Sequence, residues 1–370
     1  MAEKMRIQDV ARLANVSTGT VSRVLNHKPD VDPLTRERVL RIVEECGYVP
    51  SITAAGLAVG RNRLISVLVP ALTWPLVSEL MLNVAEIVER TSYEMVLYSI
   101  STSNHDRDCG RVIDRILATK LTAGLLAIFP GQSAQHLMEL QRHGFPCVLI
   151  DDQSEPLPGI PWIGADNRGG AYEATRYLIG LGHRRIAYIQ GPMKYKVSHD
   201  RYAGYCQALQ EAGLEIDPLL VEEGDFMPTG GVNSTRALLA RFHADRPTAI
   251  FAGSDLTAYG VMSAAEEFGL RIPQDLALIG FDDNPSSAHM RPALTTVRQP
   301  FPEMGQRAIE LLLQLIEQAR LARLNARASG RQAPEALVEE AARIVLPTVL
   351  VVRDTCRALP RHAAHTSSGG

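Results

Sequence analysis

Two pairs of adjacent acids, Asp151-Asp152 and Asp282-Asp283, are the residues in this chain of 370 whose types most directly suggest chemistry. Carboxylates on either side of a glycosidic bond are the equipment of a glycosidase. Neighbours in sequence at a strand end point different ways, however, so polar contacts to a bound ligand are the better reading. Gly131-Gln132-Ser133-Ala134-Gln135 approaches a nucleophile elbow but lacks its second glycine, and it precedes a helix as an ordinary N-cap would. Neither G-x-G-x-x-G nor G-x-x-x-x-G-K-[ST] occurs, so nothing supports a nucleotide cofactor. The ten histidines form no H-x-x-x-H set. Five cysteines (Cys46, Cys109, Cys147, Cys206, Cys356) form no C-x-x-C pair and mostly sit in apolar periodic runs. Reduced core thiols are expected, with no metal and no cofactor.

From Leu64 onward, strand-like runs alternate with helical stretches. The strands are expected at 64–69, 95–100, 125–129, 148–151, 186–190, 219–223, 249–253, 277–281 and 349–352. Helices are expected at 76–90, 106–119, 133–144, 168–180, 198–212, 230–242, 255–268 and 303–319. Repeated βα units build doubly wound parallel sheets whose ligands sit at the carboxyl ends of the strands. About nine strands are many for one small sheet, and the Pro-rich stretch 156–161 interrupts the series. Two similar lobes follow. A chain of this length, 46% hydrophobic and 5% aromatic, is ordinary for α/β units of that size. No apolar run approaches the roughly 20 residues of a membrane helix, and no signal-peptide core is present. The protein is expected to be cytoplasmic, with no membrane partner.

The first 50 residues read differently. Ile7, Val10, Ala11 and Ala14 make one apolar stripe of a short helix, with Asp9 in its first turn and Asn15 to end it. Ser17 then caps a second helix whose Val21, Val24 and Leu25 face inward. Thr18, Gly19, Ser22, Arg23 and Asn26 remain on its outer face. Asp32 and Pro33 start a third helix, with Val39, Ile42, Val43 and Cys46 inside and Gly47 past its end. This is a helix-turn-helix plan, although periodicity alone leaves a plain three-helix bundle equally open. Charge is uneven. Residues 1–63 carry ten Lys/Arg against seven Asp/Glu, +3, so the remainder is −6 within the total of −3. A basic head on an acidic body suits a protein that meets phosphates at one end.

The literal run Ile-x-Asp-Val-Ala…Val-Ser-x-x-Thr-Val-Ser-Arg-Val-Leu-Asn, followed by Val31, Thr35-Arg36, Val39 and Gly47-Tyr48-x-Pro50, resembles the lactose-repressor (LacI/GalR) family of transcription regulators. The resemblance implies an all-α helix-turn-helix head (1–50) and a hinge (51–63). It also implies a periplasmic-binding-protein-like core (64–355) whose lobes exchange near Ala165, near Met290 and within 318–346. The N-lobe would comprise about 64–165 and 291–320, the C-lobe 166–290 and 343–355, and residues 356–370 a disordered tail. That tail lacks leucine heptads, which favours a homodimer. The connection 317–342 is longer than the family's usual one and is expected as an exposed helix or loop.

By the same resemblance, Thr18, Gly19 and Arg23 match major-groove readers, and arginine can pair bidentately with guanine. Ser17, Ser22, Asn26 and Arg36 match phosphate-positioning residues. Leu57 matches a hinge leucine that wedges into the minor groove. The pseudo-palindromic double-stranded operator is thus the implied partner. Ser51, Ala55 and Arg6 depart from the residues usual at their positions. Phe226 matches a ring that stacks on the effector, Arg201 an arginine that holds its oxygens, and Asp282 an acid that accepts from it. Ser254 stands where sugar-binding members often have Asn. From their position alone, Trp74, Leu76 and Val77 sit at the first βα turn and would line the other wall. The implied function is a repressor controlled by a small carbohydrate, not an enzyme; a solute-binding or sugar-hydrolysing protein is the alternative.

Overall fold

The computed structural model describes residues 5–25, 28–48, 62–69, 72, 74–100, 105–119, 121–129, 134–150, 157–242, 245–329 and 342–359. Asn26, the hinge with Leu57, Asp151-Asp152, the stretch 131–133 and the tail from residue 360 lie outside them.

The head contains α1 (Ile7–Leu13), α2 (Thr18–Leu25) and α3 (Pro33–Glu45). Its core is Val10, Ala11, Ala14, Val21, Val24, Val31 and Val39, with Ile42 and Val43 packed against it. The first helix ends because Asn15 adopts φ +52°, a left-handed turn that asparagine tolerates. Arg6 cannot cap α1 with its side chain. Instead Asp9 reaches back to accept the Arg6 N–H at 3.0 Å. Asp32 caps α3 by accepting the Thr35 N–H at 2.9 Å, and Gly47 leaves it at φ +57°.

The core builds two six-stranded sheets. In the first lobe the strands are β1 (Leu64–Val69), β2 (Glu94–Ser99), β3 (Thr122–Ile128), β4 (Cys147–Ile150), β5 (Trp162–Ala165) and β11 (Arg343–Leu346), ordered β11-β5-β4-β3-β1-β2. Its helices are α4 (Pro75–Glu89), α5 (His105–Thr119), α6 (Ala134–Arg142) and α11 (Phe301–Ser329). The second lobe orders β12 (Val349–Val351), β10 (Thr295–Arg298), β9 (Ala277–Asp282), β8 (Ala249–Ala252), β6 (Ile186–Gln190) and β7 (Val221–Glu223). Its helices are α7 (Asn167–Gly180), α8 (Lys196–Glu211), α9 (Pro228–Arg241) and α10 (Asp255–Glu267). The central strands are buried on both faces, which is why they read as continuous apolar runs.

Three strands escaped the sequence reading. β5, β10 and β11 are four residues each, and Thr295-Thr296-Val297-Arg298 has no apolar run to betray it. They move the lobe boundaries. Residues 295–298 belong to the second sheet through parallel pairing with β9, so the second crossover follows Arg298 rather than lying near Met290. Residues 343–346 belong to the first sheet through β5, and the last crossover is the short step from Leu346 to Val349. β12 departs from an all-parallel plan by pairing antiparallel with β10. The expected helix 303–319 runs on to Ser329, so the connection begins as helix.

Helix pairs in the second lobe approach through glycine. A Cβ on Gly204 in α8 would stand 2.2 Å from the Arg168 carbonyl of α7, with backbone on both sides of the contact. Gly204→Ala is therefore expected to force α7 and α8 apart at a cost of about 1–3 kcal/mol. At a few degrees per kcal/mol for a unit of this size, calorimetry should show a clear fall in melting temperature; an unchanged value would mean that the helices yield freely.

Candidate functional site

Both the head and the core carry candidate residues. On α2 the side chains of Thr18 and Arg23, together with Gly19, are exposed. Arg23 keeps a loose ion pair with Asp30 at 3.5 Å, both side chains being more than half exposed, so solvent screening leaves it easily exchanged. Ser17 spends its hydroxyl locally. It accepts the Thr20 N–H at 3.0 Å and meets the Thr20 hydroxyl at 2.9 Å. Arg36 turns onto the Lys28 carbonyl, which fixes the loop before α3. Ser22 is half-buried.

In the core, Trp74, Leu76, Arg201, Phe226, Ser254 and Asp282 all line one cavity of about 200 Å³. The sequence places them as much as about 208 residues apart, and the fold brings them together where strands end and the following helices begin, with Leu76 in the first turn of α4 and Arg201 in the second turn of α8. Trp74 precedes α4, Phe226 follows β7, Ser254 follows β8 and Asp282 ends β9. Val77, one residue past Leu76, is buried in the core instead.

Arg201 is the hub. Its side chain is 5% exposed. Nε donates to Asn167 Oδ1 at 2.8 Å, Nη1 donates to the Gly253 carbonyl at 2.5 Å, and Nη2 stands 3.6 Å from Asp282 Oδ1. The guanidinium lies 3.8 Å from the Phe281 ring centroid and 5.6 Å from that of Phe226. One side chain thus combines an ion pair with a place in the cavity wall. Phe226 adopts φ +62°, and its ring lies so close over Gly191 that an added Cβ there would come within 1.9 Å of Cζ. The ring runs nearly parallel to Tyr195, 10° apart with centroids 6.4 Å apart. Across the cavity Trp74 meets Phe129 edge-on at 6.3 Å.

The adjacent acids do point different ways. Asp283 accepts from Arg298 at 2.7 Å and from Arg353 at 2.6 Å, away from the cavity. Asp282 faces the cavity and accepts from Gln299 Nε2 at 2.8 Å. Burial pushes the Asp282 carboxyl up to about 6, with Arg201 and Gln299 opposing the shift. Behind it, fully buried Asp255 accepts from the Asn284 N–H at 2.8 Å and from the hydroxyls of Ser287 and Thr296. Burial first, and Asp282 second, push Asp255 up to about 8. Ser254 is committed to its helix: its hydroxyl accepts the Thr257 N–H at 3.1 Å and meets the Thr257 hydroxyl at 3.0 Å. It has little left for a ligand.

Gln299, Asn284, Lys194, Tyr195 and Phe129 also line the cavity, unnoticed in the sequence. Gln299 follows β10 directly, so recognising that strand would have found it. Among the described residues no cluster of His, Cys, Asp and Glu could hold a metal ion, and no helix is long and apolar enough to cross a membrane.

Comparison with known proteins places this geometry. Residues 6–51 match the model of bacterial regulatory proteins of the lacI family, and residues 175–356 that of the periplasmic binding protein-like domain. Catabolite control protein A of Priestia megaterium is 35% identical over 83% of this chain and 91% of its own. The chain belongs to the lacI family of bacterial regulators. The ribose operon repressor of Haemophilus influenzae is 37% identical over 84% of this chain and 92% of its own. Among solved structures, the lac repressor dimer bound to operator and the anti-inducer ONPF aligns with a TM-score of 0.80. It is 28% identical and covers 96% of this chain and all of that one. The transcriptional regulator CelR–cellobiose complex aligns at 0.65 with 31% identity, covering 95% and 99% of the two chains. A family member with Thr18, Gly19 and Arg23 exposed on its head and a polar-floored, aromatic-walled cavity in its core is a DNA-binding transcriptional regulator with a ligand-binding core.

The two buried carboxyls set a pH dependence. Both lie above the ordinary aspartate value of 3.8, so the folded state holds more protons than the unfolded chain from there up to about 8. Their contribution to stability is complete at the acid end of that window and is lost as pH rises through it. The melting temperature of the ligand-free protein should fall between about pH 5 and about pH 8, and Asp255→Asn should flatten most of that fall. An identical slope in the variant would show that Asp255 ionises like a surface acid.

Proposed function

We propose that the protein is a homodimeric repressor of the cytoplasm, which binds a pseudo-palindromic operator and releases or grips it according to a small carbohydrate held in the core cavity. It performs no catalysis: the carboxylates at the cavity are a ligand acceptor, Asp282, and a buried strut, Asp255. The observation that carries the effector half is the meeting of Arg201, Asp282 and Gln299 with the rings of Phe226 and Trp74 around one cavity. A sugar has hydroxyl edges for the first group and a C–H face for the second. The cellobiose complex and the ribose-bound regulator from Enterococcus faecium, similar in structure to this chain, support that class. On the DNA side, support comes from the exposed outer face of α2 and from the operator-bound lac repressor dimer, to which the chain is similar.

In this reading Arg23 and Thr18 contact base edges, Gly19 lets the helix approach closely, and Ser22 and Asn26 contact phosphate. Ser17 and Arg36 act chiefly by holding the head in shape, since their polar groups are engaged internally. Leu57 wedges between base pairs of the minor groove. Ligand and operator then communicate through a coupling free energy, typically about 1–3 kcal/mol.

Arg23→Ala is expected to abolish preference for a duplex selected by the wild-type protein from a random pool, while weak, steeply salt-dependent binding persists. Leu57→Ala should bind that duplex more weakly and bend it less. Equal affinity of the Arg23 variant for selected and random duplexes checks the assignment; undiminished preference overturns it. For the effector, a thermal-shift panel of sugars and glycosides should give at least one stabilising ligand. That shift should disappear in Asp282→Asn and weaken in the wild type as pH falls below about 6, where the carboxylate takes up a proton and no longer accepts freely. A panel without response, or a response indifferent to Asp282, would move the effector to another chemical class or another cavity.

A further inference from the structure

Among the described residues, the polar side chains of the cavity wall that are more than nine-tenths buried are those of Arg201, Ser254, Asn284 and Gln299. Three of them are bonded to the protein. Arg201 has Asn167 and the Gly253 carbonyl, Ser254 has Thr257, and Gln299 has Asp282. The Asn284 side chain has no partner among the described residues. Its position makes that informative. Asn284 is the N-cap of the short 3-10 turn Pro285–Ala288, where asparagine ordinarily turns its side chain back onto a free N–H. Here it caps nothing. Nor is the amide sealed in. The covered side-chain atoms left without a bond include Gln299 Oε1 but neither amide atom of Asn284. The amide therefore keeps an opening, and the cavity is what it lines.

The backbone that carries this amide is fixed on both sides. The Asn284 N–H donates to buried Asp255 at 2.8 Å, and its carbonyl accepts the Ser287 N–H at 2.8 Å. Ser287 also donates its hydroxyl to the same Asp255 oxygen. Asp283, one residue earlier, is held away from the cavity by Arg298 and Arg353. Residues 282 and 284 thus share the cavity side of the loop while 283 takes the other. An ionised Asp282 can only accept, whereas the amide two residues on brings both a donor and an acceptor. A buried polar group on a rigid loop, left unbonded by the protein, is completed by what enters the cavity.

We infer that Asn284 is a specificity-determining residue of the effector site, whose amide donates to one ligand hydroxyl and accepts from its neighbour, beside the groups that Asp282 takes. The inference deepens the carbohydrate reading above and rests on it. A vicinal diol fits the amide, because each hydroxyl both donates and accepts. A sugar that lacks one of the two leaves buried polar atoms unpaired and is rejected.

The test is calorimetric titration of the full chain with D-glucose, D-galactose, D-ribose and cellobiose, followed by the monodeoxy analogues of whichever binds. Wild-type protein should bind the parent sugar about tenfold more tightly than at least one monodeoxy analogue, the ratio expected when a hydrogen bond or two is lost. Asn284→Ala should bind the parent about tenfold more weakly and that analogue as the wild type does. Discrimination then vanishes at that hydroxyl and survives at the others. Because the replaced side chain makes no bond within the described protein, the ligand-free variant should melt with the wild type. Discrimination preserved at every hydroxyl in Asn284→Ala overturns the inference and leaves the carbohydrate reading standing. Uniform loss of affinity across parent and analogues would make the residue structural and also overturn it. Failure of all four sugars to bind the wild type removes both readings together.

Discussion

A guanidinium cannot be left alone in a protein interior. Removing it from water costs several kcal/mol unless its five N–H donors find acceptors, and the second lobe is arranged around meeting that requirement for Arg201. The partners are spread over the chain: Asn167 opens α7, the Gly253 carbonyl directly follows β8, and Asp282 ends β9. One side chain on α8 thereby fixes the carboxyl ends of two neighbouring strands and the helix that follows the first crossover. Phe281 and Phe226 cover its faces, which uses the weak hydration of guanidinium better than an ammonium would allow.

Concentrating that much polarity has a local electrostatic cost, and the loops show where it is absorbed. Asp282 and Asp283 both sit at positive φ, +118° and +58°, a conformation L-residues adopt only when surroundings insist on it. The insistence comes from opposite sides. Arg201 and Gln299 hold Asp282, while Arg298 and Arg353 hold Asp283. Arg353 also donates to the Leu294 carbonyl, and Thr355 bridges Leu278 and Thr295. Arg353 and Thr355 together thus clamp the strand that ends in Asp282.

The sequence disclosed these features unequally, for physical reasons. The head was legible almost residue by residue, because caps, apolar stripes and the left-handed Asn15 are local signals with local causes. Long central strands such as β1 and β6 were found to the residue, since burial on both faces writes a continuous apolar run. β5, β10 and β11 were not, because four-residue strands held by neighbours carry no period of their own, and with β10 went Gln299 and the true position of the second crossover. Resemblance supplied Arg201, Phe226, Ser254 and Asp282, position at the first βα turn supplied Trp74 and Leu76, and the structure gathers all six. Resemblance could not reveal that Ser254 spends its hydroxyl on its helix or that Arg36 spends its charge on a loop, since hydrogen-bond partners distant in sequence, or across a turn, leave no trace in residue type.

The corrected crossovers change how a bound ligand would act on the fold. The first crossover runs from Ala165 into Asn167, and the second begins at Gln299. Asn167 accepts from Arg201, and Gln299 donates to Asp282. Two of the three connections between the lobes therefore terminate in side chains bonded directly to the polar floor of the cavity. A ligand that competes for Arg201 or Asp282 must rearrange hydrogen bonds made by the connections themselves. Transmission then needs no pathway through the core of either lobe. A ligand bonded differently to that floor in two lobe arrangements biases them by that difference alone, which is the condition any allosteric ligand has to meet.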